Sequence, residues 1–213
     1  MPYPNLGVGQ RLYKQFKDQV VTSGRDPASV RVAPAVYIIT GETRSIAEER
    51  RAIIESTFRP ADALILLSEV LNYDFSRKPK DEPFSNEELA GIGGLQAVRD
   101  RVVELSGKPN PTVDDFVKYS GWGSVNALPV ISGSPADVAD QMEEWFATAC
   151  DGFVIAATHM PGAYEDFVNL VVPELQRRKL FRTDYEGSTL RENLGLTRAM
   201  PGDWKNVGQE KAS

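Results

Sequence analysis

Residues 132–182 read SGSPADVADQMEEWFATACDGFVIAATHMPGAYEDFVNLVVPELQRRKLFR, and this stretch predicts a helix, a strand and a second helix in succession. Ser134 is a favourable N-cap, Pro135 occupies the first helical position, and Asp137 lies three residues after the cap. Apolar residues then recur at the spacing of one helical face, at Val138, Met142, Trp145, Phe146 and Ala149. The spacing predicts an amphipathic helix that ends at residues 151–152.

The apolar run at residues 153–157, FVIAA, contains no polar alternation. This pattern is typical of a parallel strand between helices, because both faces of such a strand are covered. The following helix places its apolar residues at Phe167, Val168, Val171, Val172 and Leu175. Pro173 lies inside that pattern and removes one helical hydrogen bond, so we expect a kink or a restart there.

Three segments of this stretch resemble one enzyme family: SPADVADQMEEWF, DGFVIA and EDFVNLVVPELQRRKLFRTDYEGSTLRENLGL. The chain resembles the bacterial-luciferase-like flavin-dependent monooxygenases, in the branch of the nitrilotriacetate, dibenzothiophene-sulfone and long-chain alkane monooxygenases. The resemblance extends upstream through GRDPASVRVAPAVYIITGET and covers residues 12–196.

The family fold is a TIM (β/α)8 barrel of about 250 residues. The resemblance therefore implies an α/β fold that is the C-terminal portion of an incomplete TIM barrel, with about three parallel strands and surrounding helices. We expect residues 1–196 to form this part of the barrel domain and residues 197–213 to be a disordered tail.

Composition excludes several classes of protein. The chain of 213 residues is 41% hydrophobic and 25% charged, which is typical of a soluble globular domain. Its net charge is −6 and no basic stripe is present, so we expect no nucleic-acid partner. Cys150 is the single cysteine, which excludes an internal disulfide and favours a cytoplasmic location. No apolar run is long enough to predict a membrane span.

The rest of the chain predicts a series of short elements: helices at residues 7–23, 63–71, 95–105, 113–119 and 188–194, and strands at residues 30–40 and 126–131. A further helix opens at Ser45, which forms a capping box with Glu48. Residues 72–86 are polar and contain prolines, so we expect an excursion without regular structure.

The carboxyl ends of barrel strands carry the active site in this fold. Three such ends are readable, at residues 40–43 (TGET), 132–134 (SGS) and 158–162 (THMPG). His159, the only histidine, lies in the third and is the candidate catalytic residue, because an imidazole exchanges protons near neutral pH. The alternative is an exposed or loop-packing histidine, since the sequence places no second catalytic group beside it.

Other motifs have a structural and a functional interpretation. SGSP could hold a phosphate at a helix start, but a helix cap is favoured because further glycines or a lysine are missing. The GIGG segment at residues 91–94 lacks the spacing of a dinucleotide site. Trp122 could stack on a planar ligand or pack under the barrel rim. Cys150 is expected to be buried and inert, and the acidic pairs at residues 114–115 and 143–144 to be solvated. The sequence predicts no metal site.

The resemblance implies a chemistry that these residues do not reveal. Proteins of this branch use reduced flavin mononucleotide (FMN), supplied by a separate flavin reductase, and dioxygen to oxidise a small organic substrate. In the family most flavin contacts come from earlier strands, so no flavin-binding residue is assigned here and we expect little activity from this chain alone. The alternative is a non-catalytic interaction module that pairs with itself, as a homo-oligomer, or with a full-length relative.

Overall fold

A three-stranded parallel sheet forms the centre of the protein. The computed structural model describes residues 5–198 and 200–202. Strand β1 (Ala35–Thr40) lies between β2 (Val130–Gly133) and β3 (Val154–Ala156). Tyr37 is in register with Val130 on one side, and Val36 with Ile155 on the other. The prediction of an α/β fold with about three parallel strands is confirmed.

Ten α-helices surround or extend from this sheet in the described part of the chain: α1 (Leu6–Thr22), α2 (Arg44–Ser56), α3 (Pro60–Leu71), α4 (Asn86–Gly91), α5 (Gln96–Ser106), α6 (Val113–Tyr119), α7 (Pro135–Thr148), α8 (Gly162–Asp166), α9 (Val172–Arg177) and α10 (Leu190–Asn193). A π-helical segment, Phe167–Val171, joins α8 to α9, and α9 begins with Pro173 in its first turn. The predicted restart at Pro173 is therefore confirmed.

The first hydrophobic core lies between the sheet and α7. Val36, Ile38 and Ile131 face Val138 and the other buried apolar side chains of α7. The capping of α7 agrees with the sequence, since Ser134 and Asp137 form a capping box and Pro135 follows the cap. Phe146 was expected on the buried face but is 56% exposed.

Helices α3–α6 enclose a second hydrophobic core of their own. Its centre is an aromatic cluster in which the rings of Phe75, Phe84 and Phe116 lie 5.2–6.0 Å apart. Phe75 and Phe84 both belong to residues 72–86, where we expected no regular structure. Apart from a short 3-10 helix, Phe75–Arg77, and the first residue of α4, this segment forms no helix or strand, as expected, but these two side chains are 2% and 1% exposed.

The strand order limits which strands can follow one another in a barrel. Successive strands of a (β/α)8 barrel are neighbours, so three successive strands would place β2 in the middle. Here β1 pairs with both β2 and β3. β2 and β3 are therefore not neighbours in this sheet, whereas β1 is a parallel neighbour of both.

Strand β3 is an edge strand. Within residues 5–198 and 200–202 it pairs only with β1. The prediction that both of its faces are covered is wrong, because Val154 is 53% exposed. Side chains alternate between the two faces of a strand. Ile155 packs on the first core, so Val154 and Ala156 belong to the opposite face. On that face the Val154 side chain is exposed to solvent.

The prediction of a capping box at Ser45 is wrong. Thr43 is the N-cap of α2, and its side chain accepts a hydrogen bond from the amide of Ile46. The predicted disordered tail at residues 197–213 falls mostly outside the described residues. No helix in residues 5–198 and 200–202 is long and apolar enough to cross a bilayer.

Candidate functional site

The carboxyl ends of β1 and β2 meet at one edge of the sheet. The hydroxyl of Thr40 donates a hydrogen bond of 3.0 Å to the carbonyl oxygen of Gly133. Gly133 has φ +142°, and a Cβ atom there would lie 2.5 Å from Cβ of Asp137. The sequence therefore pointed correctly to two segments, TGET and SGS, that the fold brings together.

Arg50 ties this edge to the segment that follows β3. Its Nη1 donates to the carbonyl oxygen of Thr40 at 2.5 Å and to Oδ2 of Asp166 in α8 at 2.6 Å. Both side chains are partly exposed, and 116 residues separate them in the chain. Sequence reasoning missed this pair, since nothing in the local pattern of α2 or α8 marks either residue.

The SGSP segment is a helix cap. The backbone N–H and hydroxyl of Ser134 both donate to Oδ2 of Asp137, at 3.0 and 2.7 Å. Arg44 donates to the same carboxylate, and its hydrogen bonds, followed by those from Ser134, hold the pKa of Asp137 well below its usual range. The amide of Asp137 in turn donates to the Ser134 hydroxyl, so the segment forms the capping box that the cap interpretation requires.

His159 lies on the exposed loop after β3. Its Nδ1 is 3.1 Å from the hydroxyl of Thr158, and a Cβ atom on Gly162 would lie 3.0 Å from its Nε2. The imidazole is therefore held between a hydroxyl and a glycine, on the loop at the carboxyl end of β3. Both the catalytic and the loop-packing interpretations of this residue stay open in this geometry.

The remaining motifs have structural roles. Trp122 is partly buried against the second core, as expected of a residue that packs. The GIGG segment forms the turn between α4 and α5. Cys150 is 2% exposed and burial raises its pKa to about 11, so this thiol is inert as expected. Asp115, by contrast, was expected to be solvated but is 7% exposed and bonds to Lys108 and Thr112.

The sheet face opposite the first core is open only at β3. Tyr37 and Ile39 alternate with the core residues of β1 and so lie on the same face as Val154. Ile39 is 3% exposed, whereas Val154 is 53% exposed. The two arginines at the carboxyl-end edge of the sheet, Arg44 and Arg50, each pair with a carboxylate, so their positive charge is already balanced without a flavin phosphate. The residues at this edge therefore do not fit the whole cofactor.

No family model matches the chain. The nitrilotriacetate monooxygenase component A of Aminobacter aminovorans is 36% identical over 195 residues, which are 91% of this chain and 42% of that protein. The dibenzothiophene-sulfone monooxygenase of Rhodococcus erythropolis is 33% identical over 201 residues, with 91% and 43% covered. The crystal structure of DmoA from Hyphomicrobium sulfonivorans superposes with a TM-score of 0.70 at 26% identity, with 92% and 41% covered.

Several relatives that the chain matches are monooxygenases by name. The chain spans less than half the length of the relatives it matches. The structural neighbours have the TIM-barrel fold, which agrees with an α/β fold in which β1 and β3 are parallel neighbours.

Proposed function

We propose that this chain is the C-terminal portion of an FMN-dependent monooxygenase. The observation that carries the proposal is the identity of 36% across 91% of the chain with a nitrilotriacetate monooxygenase component. The name of that relative, component A, indicates a second component. A separate flavin reductase would accordingly supply reduced FMN, in the cytoplasm, for the oxidation of a small organic substrate by dioxygen.

The residues of this chain would position the reaction. The FMN supplies the oxygen chemistry when bound, and the protein orients the substrate and excludes water. Arg50 bonds to Thr40 at the end of β1 and to Asp166 in α8, the helix that follows β3. These bonds would fix the end of β1 relative to the segment after β3. His159, on the loop after β3, would exchange a proton with the substrate.

The flavin site would be incomplete in this chain. The relatives extend over more than twice the matched length, and the arginines at the strand ends are already paired. We therefore propose that most flavin contacts lie on polypeptide outside the 213 residues, and that the chain alone has little activity.

Titration with FMN, followed by quenching of flavin fluorescence, tests this proposal. We expect no saturable binding by the chain alone. A polypeptide that supplies the remaining part of the fold should restore stoichiometric binding and, with a flavin reductase, oxygen consumption. Stoichiometric binding by the isolated chain would contradict the incomplete site, and no oxygen consumption by the completed protein would contradict the monooxygenase.

Substitution of His159 tests its role in the completed enzyme. If the imidazole transfers a proton, His159→Gln lowers kcat by at least about a hundredfold and removes one limb of the pH profile. Thr158→Val, which removes only the hydroxyl beside Nδ1, should keep the pH profile. An unchanged profile in His159→Gln would establish the loop-packing interpretation.

A second candidate function is a non-catalytic interaction module. The observation in its favour is the unpaired edge of β3 together with the exposed Val154, since open edges favour association. The module would be supported if this chain forms a complex with a second copy or with a full-length relative and itself binds no flavin in that complex.

A further inference from the structure

A cavity of about 610 Å³ lies on the helix side of the sheet, at the amino end of β3. Residues 151–153, which lead into β3, form one wall, and α7, α9 and residues 180–182 form the others. None of the lining residues belongs to the three strand ends at residues 40–43, 132–134 and 158–162. Cavities that bind small organic molecules enclose about 300–1,000 Å³, so this size suits such a ligand.

The lining of the cavity is largely apolar. Phe146 is one of its residues and is 56% exposed, although it lies on the helix face that the sequence predicted to be buried. An apolar molecule in the cavity would remove this ring from water, which is energetically favourable. Other apolar side chains of the lining are Phe153, Ile155, Phe167, Leu180 and Phe181.

Three of the charged side chains that line the cavity are paired with an opposite charge. Asp151 lies 2.9 Å from Nζ of Lys17 and 3.7 Å from Nη1 of Arg31. Glu143 lies 3.7 Å from Nη1 of Arg178. The two carboxylates of the lining are therefore compensated within the protein, and so is Arg31.

Arg182 is the fourth charged residue of the lining, and it pairs with no carboxylate in the part of the chain that the structure describes. The side chain is exposed, and its guanidinium carbon lies 4.5 Å from the ring centre of Phe181 and 4.3 Å from that of Tyr185. Its Nη2 also donates to the Tyr185 hydroxyl at 3.0 Å. A guanidinium that stacks on aromatic rings keeps N–H groups along its edge for hydrogen bonds in its own plane. These contacts hold an uncompensated cation beside an apolar cavity.

We propose that this cavity binds an amphiphilic carboxylate, with its apolar chain among the lining side chains and its carboxylate on Arg182. One uncompensated cation matches the single negative charge of a carboxylate better than the charge of nearly two on a phosphate monoester. The planar guanidinium edge also matches the two carboxylate oxygens. The inference does not rest on the proposed function, because neither flavin nor turnover enters it.

Isothermal titration calorimetry of the full chain with decanoate, below the concentration at which it forms micelles, tests the proposal. Decan-1-ol and decylammonium are matched ligands that carry the same chain with a neutral or a positive head group. We expect decanoate to bind saturably. Decan-1-ol should bind at least about tenfold more weakly, because charge-assisted hydrogen bonds are lost, and decylammonium more weakly still.

Arg182→Gln tests the head-group contact. It should lower the affinity for decanoate to that for decan-1-ol, and change the affinity for decan-1-ol less than about twofold. Arg177→Gln is the matched control, because Arg177 is exposed, pairs with Glu174 and does not line the cavity. It should change decanoate binding less than about twofold.

Phe146→Ala tests the chain contact. It should weaken the binding of decanoate and decan-1-ol alike, by at least about threefold, because apolar contact area is lost from the cavity. Leu105→Ala removes an apolar side chain of similar exposure from α5, outside the cavity, and should weaken neither.

Thermal unfolding shows whether each variant is folded. The proposal would be overturned by the absence of saturable decanoate binding, by equal binding of decanoate and decan-1-ol, or by equal losses in Arg182→Gln and Arg177→Gln. Every titration uses the chain without flavin, so none of these outcomes bears on the monooxygenase proposal.

Discussion

Asp151 joins the first helix to the segment before β1 through three contacts. Its carboxylate lies 2.9 Å from Nζ of Lys17 and accepts hydrogen bonds from the Tyr13 hydroxyl at 3.0 Å and the Val32 amide at 2.8 Å. Burial by itself would raise the pKa of Asp151, but these donors outweigh it and hold the pKa below its usual value. Burial, followed by the hydrogen bond to Asp151, raises the pKa of Tyr13 to about 12.

We predict that Asp151→Asn destabilises the protein by about 2 kcal/mol at pH 7, because charged hydrogen bonds are lost. Because the pKa of the Asp151 carboxylate is lower in the folded protein, its full stabilising contribution is present above the unfolded-state pKa of about 4. This contribution is lost as the pH falls further. The difference between wild type and variant in urea unfolding should therefore shrink below pH ~4.

Asp18→Asn is the control for this experiment. Asp18 pairs with Lys14 on the exposed side of α1, where the two side chains are 63% and 78% exposed. Such a surface pair contributes less than about 1 kcal/mol, so its removal should hardly change the unfolding curve. Equal losses in the two variants would contradict the role assigned to Asp151.

Cys150 is the second residue whose environment makes a measurable prediction. Its thiol is buried and its pKa is raised to about 11, so little thiolate is present at pH 8. We predict that iodoacetamide alkylates the native chain at least about a hundredfold more slowly than the urea-unfolded chain. Since the chain has one cysteine, mass spectrometry reads this rate directly. Rapid alkylation of the native protein would show that the first core is open at this point.

At the scale of elements, the turn between α4 and α5 depends on glycine. Gly94 has φ +66°, and a Cβ atom there would lie 2.1 Å from the carbonyl oxygen of Val70 in α3. The amide of Leu95 donates to that same oxygen at 2.9 Å. The turn is therefore pressed against the end of α3 and cannot shift away without losing this hydrogen bond.

We predict that Gly94→Ala destabilises the protein by about 3 kcal/mol, because a left-handed backbone conformation and a steric clash act together. Gly107→Ala is a matched control. Gly107 also has φ +66°, but its Cβ position meets no atom within 4 Å. It should lose only about 1 kcal/mol, the cost of the backbone conformation. Similar losses in urea unfolding would refute close packing at Gly94.

At the scale of the whole molecule, the sheet formed by the described residues has two unpaired edges and a face that is open at Val154. Val154 lies on that face, in the edge strand β3. Unpaired edges and exposed apolar surface favour association with another chain. The same region is therefore where a second copy or the remaining part of the fold would pack.

We predict that Val154→Lys weakens self-association, measured by sedimentation velocity, by at least about tenfold, because a charge on an edge strand opposes pairing. Ile65→Lys is the control. Ile65 is more exposed than Val154, at 68%, but lies on α3, away from the strands. Self-association that responds to neither variant, or to Ile65→Lys alone, would place the contact elsewhere.

Local patterns were sufficient for most elements of this protein. Patterns within a few residues predict the capping box at Ser134, the helix restart at Pro173 and the strand β1, and the sequence displays these patterns directly. The burial of Phe75 and Phe84, which the sequence did not predict, has the opposite origin. Polar residues surround Phe75 and Phe84, and their burial depends on Phe116, which lies more than 30 residues further on.

The amino-acid sequence by itself determined the parallel α/β class, the helix boundaries set by caps and prolines, and the resemblance to flavin monooxygenases. Only the tertiary structure decided the strand order β2–β1–β3, the second core and the Arg50–Asp166 pair. The physical reason is range. Caps and helical periodicity arise between neighbours in the chain, whereas strand pairing and the pairing of charges join residues far apart, whose partners no local pattern specifies.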